Sequence, residues 1–105
     1  GNIQTKAVGA VFHFWAQPKM FPEPHYTEGT TNVVCWSAID ETDHYVIEWA
    51  ADANFSVDVY SATPTDTCYT VQNLVNHQRV YYRVKQVRSD GSETNWSDVV
   101  WSIQD

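Results

Sequence analysis

Apolar and polar residues alternate with a period of two along most of the chain. The alternating runs are AVGAVFHFWAQ (residues 7–17), TNVVCWS (31–37), HYVIEWA (44–50), FSVDVYS (55–61), CYTVQNL (68–74), VYYRVKQV (80–87) and DVVWSI (98–103). This period places successive side chains on opposite faces of a strand, and the runs are rich in the β-branched and aromatic residues that strands favour. Turn-forming residues separate the runs, among them Asp90-Gly91, a strong hairpin signal. The pattern predicts an all-β protein built as an antiparallel sandwich.

The order of particular residues narrows the prediction from Pro22 onward. FPEPHYTEGT is followed by NVVCW, HYVIEW, CYTVQNL and VYYRVKQVRSDGSETNWSDVV. In this order the segments resemble the strands of a fibronectin type III domain of the kind found in extracellular multidomain proteins. The resemblance implies a seven-stranded immunoglobulin-like sandwich over residues 20–105, preceded by an apolar strand and a Pro-rich connector over residues 1–19. The implied core comprises Trp36, Tyr45, Ile47, Trp49, Tyr69, Val71, Leu74, Tyr82 and Val84.

One position departs from the family pattern. Six residues after the implied core residue Leu74, the family usually has the tyrosine of its corner motif, and this chain has Val80. Tyr81 and Tyr82 follow directly. We therefore expect either that the strand register slips by one residue or that the corner hydrogen bond is absent.

The only two cysteines lie in two of the predicted strands. Because Trp36 and Tyr69 are expected to face the core, Cys35 and Cys68 point to the opposite, outer face. The family register sets the two cysteines opposite each other, in strands that are antiparallel neighbours. The resemblance thus implies a Cys35–Cys68 disulfide, with two free surface thiols as the alternative. A metal site is disfavoured, since two ligands on a flat sheet lack the third and fourth that zinc needs.

The first alternating run lies before the region of resemblance. It is predicted to be an assembly strand, whose apolar residues occupy both faces: Val8, Ala10, Phe12, Phe14 and Trp15. Such a strand is too apolar for a solvated linker, so it must be covered. It can pair with an edge of its own sandwich, be donated to a neighbouring subunit or belong with a preceding domain. Three prolines within seven residues oppose a tight fold-back, which argues for donation, a head-to-tail contact that builds filaments.

Composition limits the classes of partner. The 105 residues amount to one domain, and six basic against thirteen acidic residues give a net charge of −7. Nucleic acids and anionic membranes attract positive surfaces, so neither is an expected partner. No apolar run approaches the roughly 20 residues of a membrane-spanning helix.

Motifs for catalysis or metal binding are absent from the sequence. The four histidines are scattered without an HExxH pattern, and the acidic DETD segment (residues 40–43) lacks the spacing of a calcium loop. RSDG (residues 88–91) is not an Arg-Gly-Asp motif and predicts a hairpin turn. We expect no catalytic residue, no metal and no cofactor.

One outer face gathers candidate ligand-binding side chains. Strand parity places together Val46, Glu48, Tyr81, Arg83 and Lys85. The segment NWSDVVWS is similar to the Trp-Ser boxes of the cytokine-receptor branch of this fold, which implies stacking of Trp96 on Arg83. The spacing differs from that of the boxes and the receptor cysteines are missing, so cytokine binding is not expected. Exposed aromatic side chains can instead support a sugar ring.

These features lead to two functional hypotheses. The first is a non-catalytic, extracellular or cell-surface module that acts as a spacer, adhesion or assembly unit and contacts protein partners or its own subunits. Filament formation through the N-terminal strand belongs to this hypothesis, and a disulfide fits an oxidising compartment. The second is a carbohydrate-binding module that uses exposed aromatic residues, with Tyr81 as the leading candidate.

Overall fold

The computed structural model describes residues 17–104 and forms seven strands, with no helix among these residues. The predicted assembly strand lies outside the described residues. The strands are β1 (Tyr26–Thr27), β2 (Asn32–Cys35), β3 (Thr42–Ala50), β4 (Tyr60–Ala62), β5 (Cys68–Val71), β6 (Arg79–Arg88) and β7 (Val100–Gln104). The predicted all-β class is confirmed.

The strands form two layers. The larger sheet has the order β1-β7-β6-β3-β4, and β2 pairs with β5 in the smaller sheet. A single antiparallel bridge between Met20 and Trp36 extends the smaller sheet toward the N-terminal segment. All pairs are antiparallel except β1 and β7, which run in the same direction. This is the predicted sandwich, with one parallel pair added at its edge.

Alternate residues of both sheets fill the space between the layers. Trp36 of β2 is 1% exposed, and its ring meets the edge of Tyr45 of β3 at a centroid distance of 5.6 Å. Edge-to-face packing of this kind is favourable beyond the apolar area that it buries. Every residue of the implied core lies in this layer or packs against it, with Trp49 and Tyr69 only partly buried. Val34, Val80 and Met20 complete the core.

The corner position keeps its register. Val80, Tyr82 and Val84 are all buried on the inner face of β6, while Tyr81 is half-buried on the outer face. The register of β6 therefore does not slip, and valine has no hydroxyl to donate at the corner. The Tyr82 hydroxyl instead lies 3.0 Å from Ser102 Oγ, within the core.

The connection from β6 to β7 begins with the predicted hairpin turn. The Gly91 amide donates to the Arg88 carbonyl (2.8 Å), and Gly91 has a φ of +89°, a conformation that glycine adopts without strain. Residues 94–98 then run beside β6, where the Ser97 hydroxyl accepts from the Val84 amide (3.0 Å). A hydroxyl replaces a backbone carbonyl in this pairing, so β7 begins only at Val100. Trp96 therefore lies before the last strand.

Candidate interaction surfaces

A cation–aromatic cluster covers the outer face of the larger sheet. The guanidinium carbon of Arg83 lies 4.3 Å from the ring centroid of Trp96 and 4.1 Å from that of Phe55. The Lys85 ammonium lies 4.6 Å from the Trp96 ring. Stacking of Trp96 on Arg83, which the resemblance implied, is present. Cations over aromatic faces are attracted by the negative charge of the ring face, so Phe55, Arg83, Trp96 and Lys85 form one connected cluster.

Acidic neighbours neutralise both cations of the cluster. Glu48 is the cross-strand partner of Arg83. Its Oε1 accepts hydrogen bonds from Arg83 Nε at 2.8 Å and from Arg83 Nη2 at 2.5 Å. Lys85 Nζ lies 2.6 Å from Glu93 Oε1, and this hydrogen bond and charge hold the pKa of the exposed Glu93 carboxyl below its ordinary value. The predicted ligand face is thus brought together by the structure, but its charged groups already bind one another.

A tight loop presents Phe55 to this cluster. Asp52 Oδ1 accepts from the Ser56 and Val57 amides at 2.8 and 2.9 Å, and Oδ2 accepts from the Ser56 hydroxyl at 2.7 Å. These hydrogen bonds, first of all that from the Ser56 hydroxyl, lower the pKa of the Asp52 carboxyl. Phe55 has a φ of +53°, which is costly for a bulky residue. The Asp52 contacts offset that cost and hold the ring against Arg83.

A second stack lies on the same sheet, toward β1. Trp101 of β7 has the His25 ring stacked 3.9 Å away and the Arg79 guanidinium carbon 4.1 Å from its ring centroid. Tyr81 is the register partner of Trp101. The sequence hypotheses assigned no role to His25, Trp101 or Phe55. The alternation of β6 and β7 indicates that Arg79 and Trp101 share a face, but the positions of His25 and Phe55 depend on loops that have no periodic pattern.

The disulfide lies on the smaller sheet, away from these stacks. Cys35 and Cys68 are register partners in β2 and β5, and their sulfur atoms are bonded in the structure, with a Cα–Cα distance of 4.1 Å. Cys68 is exposed and Cys35 is half-buried, as expected for side chains on the outer face.

Over residues 17–104, no group of three or more His, Cys, Asp or Glu side chains is arranged to hold a metal ion. Within the same range, no helix is long and apolar enough to cross a membrane.

Comparison with known proteins supports the fold. No protein-family model matches the chain, and no curated protein matches it. Solved structures do: an Fn3-like protein from Clostridium thermocellum has 22% identity and a TM-score of 0.64, covering 86% of this chain and 93% of its own. The fibronectin type-III domain of human fibronectin type III domain containing protein 3 has 23% identity and a TM-score of 0.57, covering 86% and 84%. A β-1,2-glucanase from Parabacteroides distasonis has 19% identity and a TM-score of 0.68, with 84% of this chain matching only 12% of that enzyme.

Proposed function

Because the chain is a β-sandwich module with a fibronectin type III-like fold, we propose that it is a non-catalytic spacer and assembly unit of an extracellular or cell-surface protein. The observation that carries this proposal is the path of the chain through the sandwich. Gln17 lines the same surface groove as Asp98 and Val100, near the start of β7. The chain reaches Gln104 at the other end of β7, where the side-chain amide of Gln104 donates to the Gly29 carbonyl (2.7 Å).

A module whose chain enters and leaves at opposite ends can be placed in series with others without a sharp change of direction. Spacer domains need this geometry, since each copy then adds its full length to the array. The glucanase comparison is consistent with such use, because the matching region is a small part of that protein. The Cys35–Cys68 disulfide supports an oxidising location outside the cell.

Two copies joined from Gln104 to Gln17 test the spacer role. We expect small-angle X-ray scattering to give a maximum dimension about twice that of the single module. One copy serves as the control. A compact particle, with the two copies packed side by side, would contradict the spacer role.

The assembly role is proposed for the N-terminal residues Val8, Ala10, Phe12, Phe14 and Trp15. A donated strand needs a sheet edge with unpaired backbone groups. Among residues 17–104 the larger sheet ends at β4, which pairs only with β3. This edge therefore supports strand addition from a second copy.

Removal of residues 1–16 tests the assembly role and keeps the described fold intact. Pro18 is fully buried and the Ser37 amide donates to the Lys19 carbonyl (2.9 Å), so the deletion must stop before these residues. By light scattering, we expect the full chain to assemble with rising concentration and the shortened chain to remain a monomer. Two results contradict donation: a full chain that stays monomeric at high concentration, or a shortened chain that assembles equally well.

A further inference from the structure

We propose that a cleft at the β4 edge of the sandwich binds a neutral saccharide. The cleft lies between β4 and the connection from β5 to β6, and its volume is about 400 Å³. This volume is in the range of small-molecule sites in proteins. The site is separate from the face of Tyr81, Arg83 and Lys85 that sequence parity suggested.

Two aromatic side chains line the cleft next to each other. Trp49 and Tyr60 are cross-strand partners in β3 and β4, with ring centroids 6.1 Å apart and ring planes inclined by only 26°. Tyr60 is 59% exposed, whereas Trp49 is partly buried against the core, so the core supports one ring while solvent reaches the other. Aromatic faces are apolar and rigid. They are therefore suited to the C–H face of a sugar ring.

Three side-chain amides also line the cleft and have no hydrogen-bond partner among the described residues. Gln72, Asn73 and Gln78 line the cleft, and within residues 17–104 none of their side chains forms a hydrogen bond. An amide group offers both donors and acceptors, which matches hydroxyl groups that also do both. On the outer face, by contrast, Arg83 and Lys85 already form ion pairs with Glu48 and Glu93. The cleft thus has polar groups still available for a ligand.

Charge decides that the saccharide is neutral. Asp58 is the one ionisable acid or base among the described side chains that line the cleft, apart from the phenol of Tyr60. The chain carries a net charge of −7, so sulfated or carboxylated sugars meet repulsion and no compensating cation. Apolar side chains also line the cleft, among them Leu74 and Val80, and they favour a ring with a C–H face over a fully hydrated ion.

An array of neutral, sialylated and sulfated oligosaccharides, probed with the full chain, tests the proposal. We expect saturable binding to neutral oligosaccharides, and titration of the bound ones should change the fluorescence of Trp49. Tyr60→Ala should weaken binding about tenfold or more, the loss expected when an aromatic contact worth about 1.4 kcal/mol is removed. Tyr26→Ala is the matched control, because Tyr26 is 67% exposed on β1, at the other edge of the same sheet. The Tyr26→Ala variant should bind neutral oligosaccharides with unchanged affinity.

Several results overturn the proposal. They are the absence of binding to any neutral oligosaccharide, binding only of sulfated or sialylated ones, or equal loss of affinity in Tyr60→Ala and Tyr26→Ala. Loss in Tyr81→Ala with Tyr60→Ala unaffected would assign the sugar to the outer face instead. A synthetic peptide of residues 7–16 provides a further arm: if it shifts the NMR signals of Gln72 and Gln78 while neutral sugars do not, the cleft accepts a protein strand.

Discussion

At the scale of single residues, Arg83 combines aromatic stacking and an ion pair on the outer face. Its guanidinium contacts two aromatic rings, and the same group donates two hydrogen bonds to Glu48. Arginine suits this position because its planar group can stack and donate in its own plane at once. A lysine ammonium keeps the charge but offers no plane to stack on the rings.

Arg83→Lys should therefore lower the free energy of unfolding by about 1–2 kcal/mol, the worth of the lost stacking and paired hydrogen bonds. Urea unfolding followed by tryptophan fluorescence measures the change. Arg79→Lys is the matched control, since Arg79 contacts the single ring of Trp101 and should cost about 0.5 kcal/mol. Equal costs at the two positions would show that the second ring adds nothing.

At the scale of strands, the smaller sheet depends on its disulfide for stability, because it has few backbone hydrogen bonds of its own. This sheet consists of β2 and β5, and the single bridge between Met20 and Trp36 is its one addition among residues 17–104. Two-stranded sheets have only marginal stability on their own. The disulfide joins these strands at one end of their register, across a separation of 33 residues. The disulfide therefore keeps the ends of β2 and β5 together in the unfolded chain, which lowers the loop-closure entropy that folding of this sheet must overcome.

Replacement of both cysteines by serine should reduce the free energy of unfolding by roughly 3–4 kcal/mol, the loop-entropy value for this separation. Cys68 is exposed, so serine adds no buried polar group there. Reductant should bring the stability of the natural chain down to that of the double variant and leave the variant itself unchanged. A natural chain that is fully reduced and equally stable would contradict this account.

Strand patterns were predictable because they are local. Alternation, together with the core positions that the resemblance implied, assigned the inner and outer faces of β2, β3, β5 and β6, and so the outward direction of both cysteines. The start of β7 was not predictable from alternation. Its delay depends on the Ser97 hydroxyl, which takes the place of a carbonyl beside Val84, and a hydroxyl partner leaves no periodic trace in the sequence.

At the scale of the whole molecule, a polar network connects the two layers. Asn32 of β2 donates to Glu23 Oε1 at 2.6 Å and lies 3.2 Å from the Tyr82 hydroxyl of β6. Burial raises the pKa of the Glu23 carboxyl, and the hydrogen bond from Asn32 only partly opposes this. Burial also raises the pKa of Tyr82, with a smaller contribution from the charge of Glu23.

The raised pKa of Glu23 has a defined consequence for stability. The folded state binds the Glu23 proton more tightly than the unfolded state does, so this group's contribution is fully present below the ordinary pKa of 4.5. It is lost as the pH rises through the raised value. Glu23→Gln should therefore be more stable than the natural chain at pH 7, and the difference should shrink toward pH 4.

Urea unfolding at a series of pH values between 4 and 8 measures this difference. Glu28→Gln serves as the control, because Glu28 is an exposed acid and its replacement removes the same charge. All the chains compared contain Asp52, and its lowered pKa keeps its contribution present above pH 4, so the difference between the variants isolates Glu23. A Glu23→Gln variant less stable than the natural chain at pH 7 would show that the hydrogen bond outweighs the burial of the carboxylate.

By itself the sequence determined the class of fold, because a period of two is a property of the chain alone, and its resemblance to fibronectin type III domains implied the sides of the strands and the residues of the core. It also determined that Arg83, Lys85 and Glu48 share a face. Only the tertiary structure decided that Glu48 and Glu93 neutralise these cations and that Phe55 reaches Arg83 from a distant loop. It also decided that Trp49 and Tyr60 line a cleft with three amides that have no hydrogen-bond partner among residues 17–104. Such contacts join residues far apart in sequence through loops and layer packing, and their geometry depends on the whole fold rather than on any local pattern.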